Sequence, residues 1–239
     1  MATYRLKIPL TAEDAEKLRV GDIVYLDGLI HTGRALVYEH ILDKGNEPPV
    51  DLARVSNVQM HAAPAGQEDE ESPDGYRISA IQATASFRYW RWVPDYVRRF
   101  EIRAVIGKAG MDQSIYRDVF SRTGTVYLTT VGYGAAALYG RAVKRVQAVH
   151  WKEELGLPEA MWLIEVDNFG PFIVDGDTTG ASLAAQSLEK INPNFARVYA
   201  TLPQHVLKRM GEITQDLEHE VIVGAPGCPD PDNDGRPPK

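Results

Sequence analysis

The chain has 239 residues, 44% of them apolar and 25% charged, which excludes a wholly disordered chain and a fibrous repeat and leaves room for a buried core. Its formal charge of −7 is unevenly placed, because Glu68, Asp69, Glu70, Glu71 and Asp74 crowd into one segment and leave the body close to neutral; composition therefore offers no polyelectrolyte surface for nucleic acid. No apolar run reaches the roughly 18–20 residues of a membrane span, so no membrane partner is expected. The opening Met1-Ala2-Thr3-Tyr4-Arg5 leads into an amphipathic segment and not a signal-peptide core, so a cytoplasmic location is expected.

In chain order, Thr11-Ala12-Glu13-Asp14 reads as a helix cap with acid in the first turn, followed by Ala15, Leu18 and a stop at Gly21. Residues 23–26 read as a strand. Residues 32–44 have helix-compatible spacing, and Gly45-Asn46-Glu47-Pro48-Pro49 breaks the chain. The acidic, Pro- and Gly-containing stretch 65–75 reads as a long solvated hairpin loop between apolar runs at 58–63 and 76–81. From Phe87 to Phe100 aromatic and apolar residues recur at helical spacing, with Pro94 expected to end or kink that helix.

Residues 103–106 carry a compact buried-strand signal, and 126–128, 143–149, 161–166 and 172–174 add further strands. The Ala-rich run 135–142 suggests a helix packed closely on a sheet. Alternating β and α elements argue for an α/β domain. Three units are expected: a domain over 1–195, a helical appendage over 196–223 with a helix at 203–221, and a disordered, Pro-rich tail over 224–239.

Three short motifs sit where a strand ends and a loop or helix begins: Thr32-Gly33-Arg34, Thr84-Ala85-Ser86-Phe87-Arg88, and Ile106-Gly107-Lys108-Ala109-Gly110. Ligands of α/β sheets usually sit at such strand ends. Arg34 and Arg88 offer forked partners for carboxylates, Lys108 a point charge, and Thr84 and Ser86 hydroxyls, a set that suits a small dicarboxylate. Taken singly, each has a plainer reading, since an Arg after a strand is usually a surface residue and Ser or Thr before a helix is usually a cap. The Gly107 segment is too short for a phosphate-binding Walker loop.

Phe87, Tyr89, Trp90, Trp92 and Tyr96 fit core packing or a partner interface. The six histidines occur singly, without the paired spacing of a zinc site, so no metal ligands are assigned. The single cysteine, Cys228, allows neither an internal disulfide nor ligation of an iron–sulfur cluster by this chain.

Read together, these segments resemble the β subunit of L-tartrate dehydratase and the C-terminal domain of class I fumarases. The resemblance runs from about Ile8 to Leu183. It rests on Leu18-Arg19-Val20-Gly21-Asp22-Ile23-Val24-Tyr25-Leu26-Asp27-Gly28, on the motifs above, on His61-Ala62-Ala63-Pro64 and on the run from His150 through Trp162, with Phe169-Gly170-Pro171-Phe172-Ile173-Val174.

The resemblance implies a swivelling β/β/α fold and a separate α subunit that holds a [4Fe–4S] cluster, the two halves forming a hetero-oligomer, a dimer of α–β pairs. It further implies that Arg34 and Arg88 clamp carboxylates, that Lys108 adds a third cation, and that Thr84 holds the position of the proton-abstracting base. Ser86 and Gln82 complete the expected substrate contacts.

The departures matter. The family's Gly-Pro-Thr-Thr-Ser-x-Arg-Met reads Gln82-Ala83-Thr84-Ala85-Ser86-Phe87-Arg88-Tyr89 here, so the second threonine is Ala85 and the methionine is Tyr89. Ala35 stands for an acidic residue, Tyr38 for a histidine, and Ala109 for a glycine. The expected activity is a hydro-lyase acting on a 2-hydroxy acid that is neither malate, the hydrated partner of fumarate, nor tartrate. Two other readings stay open: a non-catalytic subunit of an α partner, and a stand-alone module that binds a small acid.

Overall fold

The computed structural model describes residues 1–108, 110–132 and 134–200. In chain order the strands are β1 (Thr3–Lys7), β2 (Ile23–Thr32), β3 (Val58–Met60), β4 (Ala65–Glu68), β5 (Tyr76–Ala80), β6 (Ala104–Gly107), β7 (Val126–Thr130), β8 (Val143–His150) and β9 (Met161–Gly176). β1, β2, β3, β6 and β7 pair in parallel, in that order. β9 then runs antiparallel to β7, to β8 and to β2. The pairings therefore close a circuit through β2, β3, β6, β7 and β9, which leaves β1 and β8 as flanking strands. β4 and β5 form a separate antiparallel hairpin.

The circuit is held by burial on both of its sides. Successive strand residues point to opposite faces: Ala104 and Ile106 of β6 and Val126 and Leu128 of β7 enter one apolar cluster, with Leu26, Ile30, Trp162, Phe169 and Phe172. Val105 and Tyr127 enter a second cluster, with Val37, Tyr38, Tyr96, Tyr116 and Phe120. Near-continuous apolar runs are what parallel strands covered on both faces require. Each such side chain contributes about 1.5–3 kcal/mol on burial.

The second cluster is roofed by helical turns. These include α2 (Ala35–Tyr38), which runs on through Glu39–Asp43, α4 (Val93–Arg99), and a turn over Tyr116–Phe120. α7 (Ala136–Arg141) approaches β5 closely, where a Cβ on Gly140 would come 2.7 Å from the Ser79 carbonyl oxygen.

Several expectations change. The first strand, β1, was not foreseen, because its burial alternates exposed and half-covered with a single buried residue, Leu6. The hairpin exists, but its first strand is β4; the apolar run at 58–63 supplies β3 to the main sheet instead. Pro94 opens α4 and does not break it, since it stands in the first turn, where its missing N–H costs nothing. The strands expected at 161–166 and 172–174 are one strand of 16 residues, bent through Asn168 (φ 52°) and Gly170 (φ 158°).

A first compact unit spans Met1–Ala185, and helix α9 covers Leu183–Tyr199. The helix expected at 203–221, the tail at 224–239, Cys228 and nearly all of the 196–223 appendage lie outside the described residues.

Candidate functional site

The parallel strands β2, β3 and β6 end on one edge of the sheet, and each is followed at once by a residue singled out above or by its neighbour: Arg34, His61 and Lys108. The segment 81–89 crosses this edge and is stitched to it by backbone bonds. Thr84 N–H donates to the His61 carbonyl at 2.6 Å, and His61 N–H to the Ile106 carbonyl at 2.9 Å. Lys108 N–H donates to the Thr84 carbonyl at 3.1 Å, and Ser86 N–H to the Lys108 carbonyl at 3.0 Å. The Ala85–Lys108 pairing so formed is parallel. Thr84, Ser86, Arg88 and Lys108 therefore share one platform, although 24 positions separate the first from the last.

Beneath the platform runs a buried polar chain. Ser86, His61, Gln59, Tyr38 and Tyr127 are fully buried. The Tyr127 hydroxyl donates to Ser86 Oγ at 2.7 Å, Ser86 Oγ lies 2.7 Å from His61 Nδ1, and His61 Nε2 lies 2.7 Å from the Tyr38 hydroxyl. Tyr38 in turn donates to Gln59 Oε1 at 2.7 Å. Since Tyr38 spends its proton on Gln59, it accepts from His61 Nε2–H, and His61 Nδ1 then accepts from Ser86. Burial first, with the His31 ring and Arg88 adding, drives the His61 pKa down to about 3, so the imidazole is neutral. Gly107 makes the chain possible: a Cβ there would overlap Ser86 Oγ and the Tyr127 hydroxyl.

Ser86, expected to touch substrate, thus has no surface to offer a ligand, and both partners of its hydroxyl are interior groups. It anchors the turn from below. Gln82 ties the same segment to the end of β7, donating to Thr130 Oγ1 at 3.1 Å and to the Gly132 carbonyl at 3.4 Å. Its Oε1 is buried without a partner.

On the outer side, the 3₁₀ turn Ser86–Tyr89 presents Arg88 to solvent. Arg88 Nε donates to the Ala85 carbonyl at 3.3 Å and Nη2 to the Tyr89 hydroxyl at 3.4 Å. Thr84 Oγ1 lies 3.2 Å from that same hydroxyl. The aromatic run divides here: Tyr89, Trp92 and Tyr96 are core, while Phe87 and Trp90 on either side of Arg88 are 57% and 62% exposed.

Arg34 is held differently. Its Nη1 pairs with Glu159 Oε1 at 3.0 Å and donates to the Pro158 carbonyl at 3.3 Å, and its Nε is buried without a partner. Glu159 also accepts from Leu36 N–H at 3.2 Å, so an internal carboxylate already occupies this guanidinium. Sequence reasoning gave Gln59 and Tyr127 no place in the site, because neither belongs to a recognisable spacing; His61 and Glu159 were visible in segments of the resemblance, and Tyr38 as a departure from it, but none carried an assigned role.

Among the described residues no group of three or more His, Cys, Asp or Glu is placed to hold a metal ion, and no helix is long and apolar enough to cross a membrane. Two clefts of about 400 and 460 Å³ lie elsewhere, one along residues 47–53 and one beside Tyr25 and Pro171.

A seven-stranded mixed sheet packed against helical turns, with hydroxyls and cations at its parallel strand ends, defines an α/β domain. The chain matches the family model described as Fumarase C-terminus over residues 2–187 and belongs to that family. It is 38% identical over 185 residues to a putative L(+)-tartrate dehydratase subunit beta of Methanocaldococcus jannaschii, covering 76% of this chain and 91% of that protein. It is 29% identical over 201 residues to the L(+)-tartrate dehydratase subunit beta of Escherichia coli K12, covering 84% and 96%. A putative class I fumarate hydratase of Geobacillus stearothermophilus is 35% identical over 191 residues, which are 78% of this chain and 35% of that longer protein.

Proposed function

We propose that this chain is the β subunit of a hydro-lyase that reversibly dehydrates a 2-hydroxy carboxylic acid, that its domain is of the swivelling β/β/α type, and that an α subunit completes its site. The observation that carries this is the shared platform of Thr84, Arg88 and Lys108 at the parallel strand ends. The names of the relatives, a tartrate dehydratase and a fumarate hydratase, supply the reaction class.

In the proposed elimination Arg88 binds a substrate carboxylate by charge-assisted hydrogen bonds, and Lys108 adds positive charge at the same edge. Thr84, deprotonated, takes the proton from the carbon next to the one bearing the hydroxyl. The C–H electron pair becomes the double bond, and the hydroxyl departs with its bonding pair. A threonine oxygen is a poor base in water, so neighbouring cations and donated hydrogen bonds must stabilise its anion.

A [4Fe–4S] cluster in the α subunit would supply Lewis acidity at the substrate's hydroxyl and carboxylate. This chain's own donors do not fit such a cluster, since Cys228 is its single cysteine. The proposed assembly is a cytoplasmic dimer of α–β pairs. Gln82, Ala85 and the aromatic run that begins at Phe87 favour a bulkier or less polar acid than fumarate, malate or tartrate.

The test is anaerobic co-expression with an α chain carrying three well-separated cysteines, cluster reconstitution, and a screen of 2-hydroxy acids and enoates by absorbance. Turnover by the complex and by neither chain alone is expected. A stable complex inert toward every acid supports a non-catalytic subunit instead, and tight acid binding by the isolated chain supports a stand-alone binding module.

A further inference from the structure

Within the hydro-lyase reading, on which this step rests, we infer that Tyr89 is a positioning residue for the proton-abstracting Thr84, its phenol donating a hydrogen bond to the threonine oxygen. Three observations converge. The Tyr89 oxygen lies 3.2 Å from Thr84 Oγ1 and accepts from Arg88 Nη2 at 3.4 Å. The ring is 2% exposed and wedged between Tyr38, at 5.6 Å between centroids, and the edge-on ring of His61, at 4.7 Å. Arg88 Cζ sits 5.5 Å from the centroid of the same ring. The hydroxyl is therefore fixed in place by packing and is not a mobile surface group.

The direction of the bond follows from valence. A phenol has one proton to give, and a nearly buried O–H left without an acceptor costs about 1–3 kcal/mol. Arg88 already donates to the Tyr89 oxygen, so the phenolic proton is directed at Thr84 Oγ1. That donation stabilises negative charge on Thr84, the form that takes a proton from carbon. Tyr89 thus links the carboxylate-binding guanidinium to the base.

Tyr89 also departs from the family pattern. Where the family pattern carries Thr-Thr and, four residues after the second threonine, Met, this chain has Thr84-Ala85 and Tyr89. Tyr38, another departure, provides the wall against which Tyr89 packs.

Tyr89→Phe keeps the ring and deletes the hydroxyl. In the reconstituted complex kcat is expected to fall about 10- to 100-fold, the loss of one hydrogen bond to a charged group, with KM little changed and the melting temperature retained. The limb of the kcat–pH profile on which activity rises with pH should move to higher pH, which a purely structural residue would not produce. Tyr89→Met, the family residue, should show the same kcat loss. Independently of turnover, the Tyr89 ¹³Cζ resonance of the isolated chain should shift on Thr84→Val.

A Tyr89→Phe complex with wild-type kcat and pH profile, while Arg88→Ala abolishes turnover, removes Tyr89 from the mechanism and leaves the hydro-lyase reading standing. A ¹³Cζ resonance indifferent to Thr84→Val overturns the inference as well. A wild-type complex that turns over no acid removes both.

Discussion

The two arginines that follow strand ends, Arg34 and Arg88, look alike in the sequence and are held in opposite ways. Arg88 is exposed, and among the described residues its hydrogen bonds go to neutral oxygens, the Ala85 carbonyl and the Tyr89 phenol, with no ion pair to offset its charge. Arg34 is three-quarters covered and paired with Glu159. An arginine in a motif therefore indicates where a cation stands; its neighbours decide whether that cation is available to a ligand. The Arg88 end is built on a buried neutral chain of hydroxyls, amide and imidazole, while the Arg34 end is built on an ion pair.

The most disruptive way to break the Arg88 end is Gly107→Ala. Its Cβ would displace Ser86 Oγ and the Tyr127 hydroxyl, and overpacking with loss of buried hydrogen bonds should cost roughly 3 kcal/mol. The midpoint of urea unfolding measures this, and a midpoint equal to that of the wild type would refute the account of Gly107.

Protons act on the same end more gradually. His31 and His61 are both pushed down to about 3 by burial, whereas an unfolded histidine titrates near 6.5. Above that pH neither state binds the proton. As pH falls from about 6.5 towards 3, the unfolded chain takes up protons that the folded one refuses, so stability falls by up to about 1.4 kcal/mol per pH unit for each ring. Urea unfolding across this range should show the decline, and His61→Asn should flatten it. A stability curve level down to pH 4 would contradict the neutral buried chain.

The smallest change is expected at the Arg34 end. With Arg34 23% and Glu159 20% exposed, removal of the opposing charge by Glu159→Gln should alter stability by about 1 kcal/mol or less. It should also free Arg34 for substrate carboxylate and lower KM a few-fold. An unchanged KM would show that Arg34 does not contact the ligand.

Much of this was legible in the sequence, and what was not has physical reasons. β6 and β7 announced themselves through short apolar runs, because burial on both faces leaves little freedom of composition. β1 carries only one buried side chain, and β4 sits in an acidic, exposed hairpin, so neither left an apolar pattern. The family pattern located Thr84, Arg88 and Lys108, whose backbone stitching the structure supplies. It could not tell that Ser86 points inward, since a serine's hydroxyl looks the same from either side of a turn. Gln59 and Tyr127 were hidden because a hydrogen-bonded core residue has no spacing of its own; it is recognisable only when its partners, up to 41 positions away, are brought alongside.

The account depends on the Thr84–Arg88 turn being half of a reactive site. The direct measurement is turnover of 2-hydroxy acids and enoates by the reconstituted complex, compared with Thr84→Ala and Arg88→Ala complexes shown by gel filtration to remain assembled. A fall of about 10³-fold or more in kcat/KM for both variants, with assembly retained, is the predicted result. Turnover indifferent to both substitutions would place the chemistry elsewhere and contradict the proposal.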